Sequence, residues 1–454
     1  MTEKPNSRKL ALEILMEVTR QEEYSHIAIR RTLEKYQYIG KQERAFITRL
    51  TEGTLEWMLH LDYIINQFSS VKVPKMKPVI RNILRMSVYQ LKFMDSVPPS
   101  AVCDEAVKLA VGKGFRGLKG FVNGVLRNIA RNLDKAAYPE KSDPVAYLSV
   151  IYSMPEWIVE DWLSAYGRET TESMLGAFLK KEPLSIRPNL EKISAMELKK
   201  RLEDRGIVVS EAAWPSYALR IAGYDYLGAI PEFREGLFQV QDVSSMLVVE
   251  AAAPTEGDLC MDVCAAPGGK SLHLAEKLHG TGWVEARDLT EYKAELIREN
   301  ARRLGAENLS VCTWDACICH EESVGKADIV LADLPCSGLG VLGKKTDLKY
   351  RMTREQQKEL ASLQRRILTA VQAYVKPGGI LIYSTCTISP EENEENAAWF
   401  LKQFPFESVP LTDCIPEGVK AETLDKGYIQ LLPGVHGCDG FFIAKFRKIK
   451  GTDS

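Results

Sequence analysis

Two cysteines stand where chemistry is possible. Cys336 follows the apolar run Ala327–Ala332 through Asp333-Leu334-Pro335, and Cys386 closes the run Gly378-Gly379-Ile380-Leu381-Ile382-Tyr383-Ser384-Thr385. A lone free cysteine is ordinarily a small buried hydrophobe. Two of them, each at the end of a strand-like run and one beside a carboxylate, offer a nucleophile and a partner, because a thiolate attacks well near neutral pH. One reaction that needs such a set is carbon methylation of a cytosine ring. C5 is a poor nucleophile until a thiolate adds to C6 and turns the ring into an enamine-like adduct. An acid near N3 must balance the developing charge, a task open to Asp333 if its proton is held. A base must then take the C5 proton so that the thiolate can leave. None of the six histidines falls in these strand-end motifs, whereas Cys336 does.

A second cluster has the form of a cofactor loop. Leu259–Cys264 is a buried-strand pattern that runs into Ala265-Ala266-Pro267-Gly268-Gly269-Lys270 and then a helical stretch. Glycines there let backbone approach a ligand, and a helix start offers unpaired N–H groups. About twenty residues on, as in dinucleotide folds, the next run ends in Asp288, an acid suited to ribose hydroxyls. Asp288 is preferred over Glu285 because it ends the strand. Asp315 closes the third run, where an adenine amino group would need an acceptor. The loop is neither G-x-G-x-x-G nor G-x-x-x-x-G-K-[ST], which disfavours a nicotinamide, a flavin or a P-loop nucleotide.

These residues need a scaffold, and the hydrophobic pattern supplies one. From about residue 255 onward, strand-like runs alternate with helical stretches, the signature of a doubly wound, mostly parallel sheet whose ligands sit at the C-terminal strand ends. Ahead of it, residues 8 to about 135 are helical throughout, with Ala11, Ile14, Leu15 and Val18 on one face, and breaks at Gly40, Val73-Pro74 and Val97-Pro98-Pro99. Between them, short runs such as Pro183–Arg187 and Gly206–Val209 flank a charged helix from about Ser194 to Asp204. Three domains are expected: 1–140 helical, 141–235 a small α/β module, and 236–450 the doubly wound domain.

Composition sets limits. The chain has 454 residues, 45% hydrophobic and 26% charged, with a net charge of −2, so overall charge does not announce a nucleic-acid partner and local charge has to do so. Lys113, Arg116, Lys119, Arg127 and Arg131 lie in a stretch without acids and can grip phosphates; a solvated helix face is the plain alternative. Lys344, Lys345, Lys349 and Arg351 after the Pro-Cys loop are further candidates. Cys312, Cys317, Cys319 and His320 lack the paired C-x-x-C spacing of a zinc site, so no metal is expected. Ten scattered cysteines and no apolar run of membrane-spanning length point to a cytoplasmic protein without disulfides or a membrane segment, and a monomer is expected.

Taken together and in order, Gln241–Ser245, Cys264–Lys270, Asp333–Gly338, Tyr383–Cys386 and Asp439–Phe442 resemble the Nol/Nop/Sun family of RNA cytosine-5 methyltransferases, over roughly 150 to 450. The first 140 residues, with Phe121-Val122-Asn123-Gly124-Val125-Leu126-Arg127, are similar to the NusB RNA-binding fold. The resemblance implies a Rossmann-like S-adenosylmethionine-dependent core, an all-α NusB-like domain and a small α/β module. It also implies that Cys386 attacks and Cys336 assists release; position alone leaves those roles open, since in DNA cytosine-5 methyltransferases the nucleophile follows a proline, as Cys336 does here. By the same resemblance Cys264, Ala265, Ala266, Pro267, Gly268, Gly269, Lys270, Asp288, Asp315 and Asp333 line the S-adenosylmethionine pocket. The NusB-like combination points to 16S ribosomal RNA of the small subunit as partner. The alternatives are the same chemistry on tRNA, or a non-catalytic RNA-binding assembly factor.

Overall fold

The computed structural model describes residues 6–21, 23–36 and 38–450. It divides into two compact units, residues 1–180 with 342–351, and residues 181–341 with 352–454. No helix among the described residues is long and apolar enough to cross a membrane.

The first unit is all helical: α1 Ser7–Arg20, α2 Ser25–Lys35, α3 Lys41–Glu56, α4 Met58–Phe68, α5 Pro78–Phe93, α6 Pro99–Gly112, α7 Lys119–Asn132, α8 Pro144–Tyr152 and α9 Glu156–Phe178. The breaks expected from sequence are where helices begin. Gly40 caps α3 and Pro98 precedes α6, as proline's missing N–H and preset φ favour. The helical periodicity also holds: Leu10, Ala11, Ile14, Leu15 and Val18 of α1, and Val122, Val125, Leu126 and Ile129 of α7, are buried in one core. Burying each of the leucine, isoleucine and valine side chains is worth about 1.5–3 kcal/mol.

By their contacts, α8 and α9 group with the helical unit. Leu59 N donates to Ser153 Oγ (3.1 Å), and the His60 ring Nδ1 meets Val150 O (2.8 Å). Residues 342–351 join the same unit through buried polar contacts. Ser25 donates through N (3.2 Å) and Oγ (2.6 Å) to Asp347, Lys349 Nζ donates to Glu56 O (2.8 Å), and the Tyr350 hydroxyl lies 3.2 Å from Ser153 Oγ.

The second unit opens with a small module, β1 Leu184–Pro188, α10 Ala195–Asp204, β2 Val208–Glu211, β3 Leu219–Ala222, α11 Pro231–Arg234 and β4 Phe238–Val240. Its sheet is antiparallel in the order β2-β3-β1-β4, with Leu198 and Leu202 of α10 in its core. Then follow α12 Val243–Ala252, β5 Leu259–Asp262, α13 Gly269–Lys277, β6 Trp283–Asp288, α14 Glu291–Leu304, β7 Leu309–Thr313, β8 Ala327–Asp333, α15 Arg354–Val371, β9 Val375–Thr385, α16 Glu394–Gln403, β10 Phe406–Ser408, β11 Tyr428–Leu431 and β12 Phe441–Lys448.

The large sheet runs β10-β12-β9-β8-β5-β6-β7, with β11 on β12. Strands β5 to β9 are parallel, while β12 is antiparallel to β9. The chain winds from β5 outward through β6 and β7, then returns to β8 and β9. The order therefore reverses between β5 and β8, and the crevice above such a switch point is where ligands bind in open α/β sheets. The central strands are apolar on both faces, as parallel strands covered by helices must be: Cys260, Ile329, Leu331 and Ile382 face one core, and Met261, Val330, Leu381 and Tyr383 the other.

Candidate active site

The switch-point crevice holds most of the residues singled out from sequence. Strand β5 ends at Asp262, and the chain turns through Cys264–Gly268 into α13. The turn needs its glycine: Gly268 has φ +100°, and a Cβ there would lie 3.1 Å from Ile297 Cγ2. The turn is also held by Asp288 at the end of β6. One carboxylate oxygen of Asp288 accepts from Ala266 N (2.9 Å), and the other accepts from Leu289 N (2.7 Å) and Lys293 Nζ (2.9 Å). Glu285, the alternative acid on this strand, is instead held by Arg287, whose Nε donates to it at 2.9 Å, and Arg287 also donates to Ser323.

Asp315 departs from expectation. It does not close β7, which stops at Thr313, but sits exposed in the loop beyond, its Oδ1 accepting from Cys317 N (2.9 Å). The tight Asx turn ends the strand early, since an aspartate side chain can bond backbone two residues on. Cys312, Cys317, Cys319 and His320 take separate partners or packing positions. The His320 ring meets Ser323 Oγ (2.9 Å), and no metal-binding group of His, Cys, Asp or Glu forms among the described residues.

One strand over, β8 and β9 run in register so that Asp333 lies beside Ser384. Ser384 Oγ donates to Asp333 Oδ1 (2.8 Å), and Lys270 Nζ donates to Asp333 Oδ2 (2.6 Å) while lying 5.1 Å from the centre of the Phe441 ring. Both oxygens of Asp333 therefore act as acceptors, with Lys270 the donor of this pair. Burial disfavours the Lys270 ammonium, but the charge and hydrogen bond of Asp333 outweigh it, and the net shift is upward.

Past the ends of β8 and β9, Cys336 Sγ and Cys386 Sγ lie 3.3 Å apart. The two loops are tied: Gly340 N donates to Cys386 O (3.1 Å), Gly440 N donates to Gly340 O (2.8 Å), and Leu334 N donates to Ser384 O (3.0 Å). A Cβ on Gly340 would fall 2.0 Å from Gly440 O, so only glycine permits this approach. The Cys336 thiol is raised well above its ordinary value, first by its hydrogen bond to Cys386 and then by burial. Burial likewise pushes Cys260 up to about 12, and burial with the carboxylates of Asp262, Asp288 and Asp333 raises Cys264, so both remain thiols.

Three groups escape a reading of the sequence. Asp262 is fully buried and raised to about 7, chiefly by burial, with Ser271 Oγ donating to it (2.6 Å) and its other oxygen unpartnered. An acid inside the apolar run Leu259–Cys264 is the available signal. Ser384 and Glu392 carry none, because their partners lie 51 and 55 residues away.

Of the basic candidates, Arg116, Lys119, Arg127 and Arg131 are exposed, and Lys113 is ion-paired with Glu13 (2.9 Å). Lys349 does not fit a phosphate-binding role: it is 4% exposed, and its ammonium is taken by Glu56 O. Arg351 is occupied with Asp347 (3.2 Å) and Glu23 O, and packs over Tyr24.

A Rossmann-like sheet with an acid-ended second strand, a glycine turn into α13 and a thiol pair at the switch point defines the methyltransferase class. A family model for 16S rRNA methyltransferase RsmB/F matches residues 249–447, one for the NusB family matches 5–131, and one for the ferredoxin-like domain of RsmF/B-like methyltransferases matches 154–224. The chain is 36% identical over 448 residues to the Bacillus subtilis protein named Probable ribosomal RNA small subunit methyltransferase B, covering 98% of this chain and 99% of that one. It is 32% identical to Ribosomal RNA small subunit methyltransferase B of Cronobacter sakazakii, over 90% of this chain and 92% of that one. A methyltransferase homologue from Pyrococcus horikoshii aligns with TM-score 0.59 at 31% identity, over 68% of this chain and 99% of that one. The chain belongs to the RsmB/F family of 16S rRNA methyltransferases.

Proposed function

We propose that this protein methylates C5 of a cytosine in 16S ribosomal RNA through a transient bond between Cys386 and C6 of the ring, working in the cytoplasm as a monomer. The observation that carries the reading is the Cys336–Cys386 pair, 3.3 Å apart, beside the Lys270–Asp333–Ser384 group at the ends of β8 and β9. The small-subunit rRNA methyltransferases to which the chain is similar support the choice of RNA.

S-adenosylmethionine, when bound, supplies an electrophilic methyl group. The donor set fits it: Asp288, already fixed to the turn by Ala266 N, suits ribose hydroxyls, and the Gly268 turn lets backbone come close. Cys264 through Lys270, Asp288, Asp315 and Asp333 would hold it.

Cys386 takes the role of attacking sulfur that the family resemblance gives it, and the nearby Lys270 ammonium, with which it interacts favourably, supports that choice, while Cys336 is the thiol raised by its neighbour. As Cys386 adds to C6, electron density moves toward N3, and the Lys270–Asp333 pair donates a proton or hydrogen bond there. C5 then accepts the methyl group. Once Cys386 is bonded to carbon it no longer carries the charge and hydrogen bond that raise Cys336. The Cys336 proton then becomes easier to lose and passes to water, so the residue turns into a base at the stage that needs one. It takes the C5 proton, the C6–S bond breaks, any proton held at N3 returns to the Lys270–Asp333 pair, and Cys386 leaves as thiolate.

Arg116, Lys119, Arg127 and Arg131, with Lys113 behind them, would grip RNA phosphates in the helical unit, and the target base must leave its stack to reach a thiol. The test is a denaturing gel. Cys336→Ala with RNA and S-adenosylmethionine should accumulate a covalent protein–RNA adduct that Cys386→Ala cannot form; no adduct in Cys336→Ala, or one in Cys386→Ala, overturns the reading.

A further inference from the structure

A buried carboxylate that the mechanism above does not use lies directly under the Cys336 loop. Glu392, in the turn before α16, has no solvent exposure. Its Oε2 accepts from Ser337 N (2.9 Å) and Gln364 Nε2 (3.0 Å), and Ser337 Oγ donates to its Oε1. Gln364 Nε2 also donates to Pro335 O (3.0 Å). The residues on both sides of Cys336 are thus held by one pair of buried side chains.

The same pair is braced in turn. The Gln364 carbonyl oxygen accepts from Asn396 Nδ2 (2.8 Å) and from the Tyr383 hydroxyl (3.1 Å), and that hydroxyl contacts the Glu392 carbonyl. On the nucleophile's side, Ser337 Oγ lies 2.7 Å from Thr387 Oγ1, on the residue after Cys386. A carboxylate without exposure persists only where several donors satisfy it, and breaking such a network is costly. Here the donors come from the segment whose sulfur must meet the substrate. Burial raises the Glu392 carboxyl, opposed by these hydrogen bonds.

We propose that Glu392, through Gln364 and Ser337, is the positioning residue for the release step: it fixes Cys336 Sγ beside Cys386, so that its loss impairs removal of the C5 proton more than attack on C6. This rests on the function proposed above. Cys386 is placed by the end of β9 and by Gly340 N; the Glu392 carboxylate bonds neither, and the residue meets β9 only through its own carbonyl and the Tyr383 hydroxyl. Attack should survive where release does not.

The experiment compares Glu392→Gln, Glu392→Ala and Gln364→Met with wild type and with Cys336→Ala, using the full chain, substrate RNA and S-adenosylmethionine. Turnover, the covalent adduct on a denaturing gel, and the thermal melting curve are read together. Glu392→Ala should lose turnover on the order of 10²-fold, the scale of a misplaced catalytic group, while the adduct accumulates as in Cys336→Ala. Gln364→Met, which keeps volume but releases Pro335 O, should accumulate less adduct. Glu392→Gln, still able to accept from Ser337, should recover part of the turnover. Turnover lost without adduct in folded Gln364→Met and Glu392→Gln, or turnover unchanged in all three, would overturn the proposal. If Cys336→Ala itself forms no adduct, the underlying function fails first, and the two failures are told apart by that control.

Discussion

The two units of this chain treat positive charge in opposite ways. At the sheet ends, Lys270 is mostly covered and paired with Asp333. In the helical unit, α7 and the turn before it leave Arg116, Lys119, Arg127 and Arg131 in solvent. A sequestered ammonium fixes geometry and holds a proton at a chosen atom. A solvated one remains available to phosphates, and its contribution falls with salt. Lys349 shows that neighbouring sequence does not decide between these fates: it lies in a basic run, yet it is buried against the Glu56 carbonyl.

Changes at the sheet ends should have the largest effects. Cys386→Ser replaces the thiolate by a hydroxyl that stays protonated, and methyl transfer should fall on the order of 10⁴-fold or more. Incorporation of labelled methyl measures this, and an undiminished rate would remove the covalent step. Lys270→Met should cost on the order of 10²–10³-fold in kcat, the scale of a missing electrostatic stabiliser. It should also shift the rate's dependence on pH to higher pH, because the Cys386 thiolate loses its neighbouring cation; a loss confined to KM would place Lys270 in cofactor binding alone.

In the helical unit, changes should be smaller and salt-sensitive. The double variant Arg116→Glu, Lys119→Glu should weaken RNA binding. It should also lower the slope of log affinity against log salt, by about 0.7 for each phosphate of single-stranded RNA that is no longer neutralised. Titrations at two salt concentrations test this, and an unchanged slope would return α7 to a plain solvated face. Lys349→Met should leave RNA affinity as it is. Burial lowers the Lys349 ammonium to about 7. Between there and the unfolded value of about 10.4 the unfolded chain binds more protons, so wild-type stability rises with pH across that window. Melting curves at both ends should show that rise in wild type and a flatter profile in Lys349→Met; equal slopes would mean that Lys349 reaches water.

Much of the fold is legible in the sequence because its signals are local. Gly40 and Pro98 mark helix starts, the 3.6-residue spacing in α1 and α7 marks buried faces, and apolar runs ending in Asp288 and Asp333 mark parallel strands. The local pattern falls short where other parts of the chain decide. It carries the third strand to Asp315, whereas that residue forms a turn past the end of β7. Nor does it show that the end of α8 packs on α4, through bonds such as Leu59 N to Ser153 Oγ.

By itself the sequence determined which residues could carry chemistry and which segments become strands or helices, since side-chain type and hydrophobic period act within a few residues. Only the tertiary structure decided that Lys270 meets Asp333, that the Cys336 and Cys386 sulfurs lie 3.3 Å apart, and that Glu392 grips the loop around Cys336. Each of these depends on groups 50 or more residues apart being brought within a hydrogen bond's length, away from water, where charge and proton affinity are set by neighbours in space.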